Sequence, residues 1–393
     1  MRRLTLPALA ASFILIACGG SSESPPTGST SASSGSTAAS GAGGSGGSGG
    51  GSGGASPCPS EQHLVDAGVC DTAITWTAGP PVAKPRDHHG TFLVDPGGTA
   101  SRFLYVAGGF SQASSTLLSD VARVPVADDG SLGAWTSGTK LPIGIAGMGV
   151  VVTHGEVILA AGYQSKHTYT SAIQADGSLG AWTKGPDVSQ ILFHAAAVAH
   201  GDFLYVIGGI DDTMTSDEVQ RSAIAADGSL GAFETIAHLP YTLSHHVAVV
   251  DSDTLYVIGG QTGNVNINAG TPHKETQIAS FAADGSLSAW TQGPDLVVAS
   301  ETSAGLVHDG YVYVVAGVDD TNGEASGKPS KKVQRARISA PGQLEPWAYD
   351  DASALPSPVS HVHQLPVYRD HVYSASGERS GTDVAAVNVG QFK

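Results

Sequence analysis

Four histidines, His89, His194, His245 and His361, recur at comparable points of the chain, each at or within a residue of the start of an apolar run. Imidazoles serve as metal ligands or as acid–base groups near neutral pH. A zinc ligand must lie about 2 Å from the ion, and strand starts in separate repeats do not meet that closely. The pattern therefore predicts structural histidines, with no metal and no cofactor. Asp211-Asp212 and Asp319-Asp320 lack the spaced oxygen ligands of a calcium loop and read as solvated acidic loops. Glu301 and Arg86 also lie near run starts, and together they offer a carboxylate and a cation for proton transfer, the alternative catalytic reading. Asn264, Asn266 and Asn268 supply donors and acceptors suited to sugar hydroxyls, whereas Lys328, Lys331 and Lys332 suit an anionic group. With Arg335 and Arg337 these lysines form a basic run, read here as a solvated loop entering an exposed strand.

The elements that must position these residues repeat. Asp-Gly-Ser-Leu-Gly-Ala-Trp occurs at 129–135 and 176–182; the copy at 227–233 ends in Phe233, and that at 284–290 carries Ser288. A degenerate fifth copy ends at Trp347. The terminal aromatics are 47, 51, 57 and 57 residues apart. Between them lie short β-branched and aromatic runs ending in glycine, such as Leu204-Tyr205-Val206-Ile207-Gly208-Gly209 and Leu255-Tyr256-Val257-Ile258-Gly259-Gly260. Each repeat reads as four strands: a, near the histidine; b, ending in glycines; c, before Asp-Gly; and d, carrying Leu and Trp. Asp-Gly predicts a type I′ hairpin between c and d, with positive φ at both central residues.

This repeat resembles the Kelch family, whose period is about 50 residues. The resemblance covers residues 73–393 and implies an all-β, six-bladed Kelch-like β-propeller with four-stranded antiparallel blades. Six sets of a, b and c are present, and the chain stops without a sixth d. Trp76-Thr77-Ala78-Gly79 supplies it, so an N-terminal strand is expected to close the ring. Two enzymatic propeller types fit poorly. The copper chemistry of galactose-oxidase-like propellers needs a cysteine inside the propeller, and here none follows Cys70; the sialidase Asp-box has aspartate where Ser178 stands. A Kelch-type sugar mutarotase or epimerase stays open through Glu301 and Arg86.

Ahead of the propeller, residues 1–17 combine Arg2 and Arg3 with an apolar stretch too short to span a bilayer, as a signal peptide does. Leu15-Ile16-Ala17-Cys18 resembles the lipobox of bacterial lipoproteins, which implies lipidation at Cys18. Residues 18–56 form a Gly/Ser-rich linker, and 57–72 a small segment in which Cys58 and Cys70 are expected to form a disulfide after export. Gly19 after the cysteine implies the outer membrane of a Gram-negative bacterium, with surface display open. The net charge of −16 argues against nucleic acid. The sequence thus reads as a monomeric, lipid-anchored binding protein for a protein or carbohydrate ligand, touching the membrane through its anchor alone. The long b-to-c loops at 261–275 and 318–332 mark the expected recognition face.

Overall fold

The structure is a computed structural model describing residues 64–66, 69–70, 73–98, 101–211, 213–264, 269–319 and 328–393. Cys18, Cys58, Asn266, Asn268 and Asp320 lie outside the described residues, as do the side chains of Cys70 and Asn264. In the segment 19–72, Leu64–Asp66 pairs antiparallel with Val69–Cys70. None of the described residues belongs to a helix long and apolar enough to cross a membrane.

Residues 73–393 form six antiparallel sheets, one per repeat. Strands a to d of blade 1 span Gly90–Val94, Arg102–Ala107, Val121–Val126 and Thr136–Ser137. Blades 2, 3 and 4 follow the same order. In blade 5 the outer strand is split into Gln343–Leu344 and Ala348–Tyr349. Blade 6 takes Val367–Tyr368, His371–Ala375 and Val387–Phe392 from the C-terminal end and Ile74–Ala78 from the N-terminal end. The pairs Ile74↔Phe392 through Ala78↔Asn388 close the ring as expected, leaving blade 6 no open outer edge on strand c.

Local chemistry explains the repeat. Strand b is buried on both faces; Tyr105, Tyr205, Tyr256, Tyr313 and Tyr373 lie fully inside it. The hydroxyls of Tyr105, Tyr205 and Tyr373 donate to the carbonyls of Gly177, Gly285 and Gly130, the turn glycines of the next blade. Trp135, Trp182, Trp290 and Trp76 each donate Nε1–H at 2.7–2.9 Å to a carbonyl on or just after the preceding blade's outer strand: Pro80, Thr139, His238 and Ser353. The conspicuous Trp and Tyr of the repeat are thus fasteners between blades.

The c-to-d turns correct one expectation. Only the glycine takes positive φ, 76–80° in the four copies, so these are not type I′ turns. Gly130 N–H donates to Ala127 O and Ala127 N–H to Ser131 O, a three-residue loop with a bulge at glycine. The cause is the side chain of Asp129, whose Oδ1 accepts from both the backbone and the hydroxyl of Ser131. Asp176, Asp227 and Asp284 repeat the arrangement.

Candidate functional site at the channel mouth

A left-handed residue stands ahead of every strand a, two positions before it in blades 1 to 5: His88, Gly147, His194, His245 and Thr302, with His361 ahead of that of blade 6, all with φ of 52–62°. This twist turns the peptide groups around the ring axis. The N–H of Gly147, His194, His245, Thr302 and His361 each donates to the carbonyl of its counterpart one blade earlier, at 2.7–3.2 Å. Between blades 6 and 1 the link is a parallel bridge of His89 with Val362. These links are made by the main chain, equally at Gly147 and Thr302, and in blade 1 the residue at this position is His88 and not His89. His89 is buried, with Nε2 against Ala375 O, and its pKa is pushed down to about 3 by burial and by Arg86.

The side chains of this ring come into contact with one another, though not with the convergence of metal ligands. Ring centroids lie 3.5 Å apart for His194 and His245, 4.1 Å for His88 and His361, and 4.7 Å for His88 and His194. His363 joins them, 4.9 Å from His194. Among the described residues no three His, Cys, Asp or Glu side chains have the convergence a metal ion requires. Burial lowers the pKa of His194, His245, His361 and His363, which favours the neutral form of these four rings.

Carboxylates surround the cluster. Asp87 Oδ1 lies 2.6 Å from His88 Nδ1, and Asp87 Oδ2 accepts from Gln112. Burial would raise the Asp87 pKa, but the charge and hydrogen bond of His88 outweigh it and hold the carboxyl well below its usual range. Glu378 Oε2 lies 3.1 Å from His361 Nδ1 and also meets Ser360 Oγ. Glu301 occupies in blade 5 the place of Asp87 in blade 1, the residue just before the αL position. Its Oε2 is sealed from solvent and unpartnered, and burial pushes its pKa up to about 7 despite nearby His361. Asp383 is likewise pushed to about 7, by burial and by the charge of Asp87, with which its carboxyl shares a hydrogen bond. The site stays open to solvent: 12–15% of the side-chain surface of His88, His361 and Glu378 is exposed. Phe193 adds an aromatic wall, stacked 5.3 Å from His88, with Tyr163 edge-on beyond it.

Below the cluster runs the central channel, a cavity of about 520 Å³ lined by strand a residues from Asp95 and Val152 at one end to His194, His246 and His363 at the other.

Other expected site residues lie elsewhere. Arg86 is fully buried; its guanidinium donates to Gly108 O and pairs with Asp120 at 2.6 Å, which leaves it holding the closing seam. Asp319 is buried, accepts from Ser330 Oγ and pins the base of the blade 5 loop. Asp211 accepts from the backbone of Thr213 and Met214. The backbone of Asn264 pairs with Ala269 in a hairpin that extends blade 4. Lys328 and Lys331 are exposed, while Lys332 sits over the Tyr349 ring and 3.9 Å from Asp319. Asp87, His88, His363, Phe193, Glu378 and Asp383 were missed by sequence reasoning. The signal was there in register: Asp87-His88 and Glu301-Thr302 are the same two positions of the repeat.

No family model matches the chain, and no curated protein matches it. Solved structures do match, among them a structure of YjhT with a TM-score of 0.61 and 11% identity, covering 79% of this chain and 96% of that one. At such identity the similarity shows the fold alone: this chain is a six-bladed β-propeller.

Proposed function

We propose that this protein is a lipid-anchored envelope binding module that receives a small polyhydroxylated ligand, a sugar or the end of a glycan, at the channel mouth. The observation that carries the reading is the gathering of polar side chains from different blades around one partly open centre: Asp87 and His88, His245, Glu301, and His361 with Glu378. Strands hold them, and Glu301 itself is paired with Val318 at the start of the blade 5 b-to-c connection. The lipobox at Cys18, followed in sequence by the Gly/Ser tract, supports display from a lipid anchor. A glycan array probed with the purified protein tests this: retained glycans whose capture is lost in His361→Gln support it, and capture unaffected by that change opposes it.

A second reading rests on Glu301. A carboxyl with pKa near 7 facing an imidazole suits acid–base catalysis at an anomeric carbon, the chemistry of a sugar mutarotase or epimerase. With Arg86 committed to Asp120, the proton partner would be His361. Anomer equilibration of free sugars followed by NMR, with Glu301→Gln as control, separates turnover from binding.

A further inference from the structure

We propose that the ligand taken at the mouth is a polyol bearing a primary ammonium group, its cation held beside His361 where the carboxyls of Asp87 and Glu301 face the same imidazole. This rests on the mouth being the binding centre. Asp87 and Glu378 are ionised, and each uses one oxygen on a histidine. Glu301 Oε2 is sealed without a donor. A buried acceptor left unpaired is costly, so this oxygen asks for an N–H or O–H group from outside. Burial favours the neutral form of His194, His245 and His363, so these three rings do not offset the negative charge.

The nearby cations are turned to other partners. Arg86 and Lys84 meet Asp120, and Arg379 donates to Pro358 O. An ammonium group brings three donors and a full charge, and charge-assisted hydrogen bonds to carboxylates are about twice as strong as neutral ones. A phosphate or carboxylate ligand would meet the opposite of what it needs.

The test pairs glucamine with sorbitol, which differ only in ammonium against hydroxyl, by isothermal titration of the full-length protein at pH 7 in buffers of different ionisation enthalpy. Glucamine is expected to bind at least about 10-fold more tightly and to release about half a proton, because a Glu301 poised near pH 7 must ionise beside the cation. Glu301→Gln should remove both the preference and the proton release while the melting temperature stays within a few degrees. Equal or tighter sorbitol binding that His361→Gln abolishes overturns the ammonium while leaving the mouth as the site. Binding of neither compound, or glucamine binding indifferent to Glu301→Gln, overturns the proposal as well.

Discussion

Truncating Ile74 to alanine probes the seam where the two ends of the chain meet. Ile74 is 1% exposed and packs among Tyr313, Val315, Val333, Leu355 and Phe392 of blades 5 and 6, while its N–H donates to Ser353 Oγ. Removing a fully buried isoleucine side chain down to Cβ costs about 2–5 kcal/mol. With an unfolding entropy of about 0.7 kcal/mol/K for about 320 residues, the melting temperature should fall by about 3–7 K. Gly390 supplies an internal check, because a Cβ there would come within 2.6 Å of Ile74 Cγ2, 2.7 Å of Val372 Cγ1 and 2.8 Å of Trp76 Cζ3. Gly390→Ala alone should cost about 1–3 kcal/mol by overpacking. Combined with Ile74→Ala it should cost less than the sum, since the closest clash is gone, with a coupling of about 0.5 kcal/mol or more. Calorimetry and denaturant titration of the four proteins measure this. Strict additivity, or equal melting of chains starting at residues 57 and 81, would refute the seam as an energetic closure.

Three further outcomes follow from the same geometry. Gly177→Ala should destabilise well beyond the about 1–2 kcal/mol of a left-handed alanine, because its Cβ would lie 2.3 Å from Ser101 O; Gly155→Ala, whose Cβ meets open space, should cost only that conformational amount. His246 is buried with its pKa pushed down to about 4, so the unfolded chain takes up a proton below pH 6.5 that the folded chain refuses, and stability falls as pH drops from 6.5 toward 4. His246→Met, which copies Met148 of blade 2, should remove about 1.4 kcal/mol per pH unit from that slope, as urea titrations at pH 6.5 and 4.5 would register. Cys18→Ser should abolish lipid labelling and membrane retention; unchanged retention with labelling would refute lipidation at this residue.

The ring was legible because its signals are covalent and local: a glycine that must take positive φ, an aromatic at a fixed distance from it, and a missing sixth outer strand. Blade 2 has Ala161-Gly162 where blades 3 and 4 have two glycines, and both residues take positive φ as Gly208 and Gly209 do. Turn type was misread because the Asp129 side chain, through its contacts with Ser131, competes with the backbone preference of Asp-Gly. The site was legible only in part. Glu301, His194, His245 and His361 were picked out, but their meeting depends on the αL residue that carries each blade's chain inward, and no single repeat reveals how close six such residues come. His89 was preferred over His88 for the same reason: adjacent residues at the start of a strand point to different sides, and only the ring of peptide hydrogen bonds fixes which one faces the axis.

The claim at the centre of this account is that ligand binds where the histidines meet. Histidine ring proton signals report it directly, with His88, His245 and His361 assigned by single His→Gln changes and glucamine and sorbitol as probes. The account predicts saturable shifts at those three rings with either compound that binds, and none at His154 and His200, which pair with Asp202 and Asp253 away from the mouth. Saturable shifts confined to His154, His200 or other rings outside the cluster would contradict it.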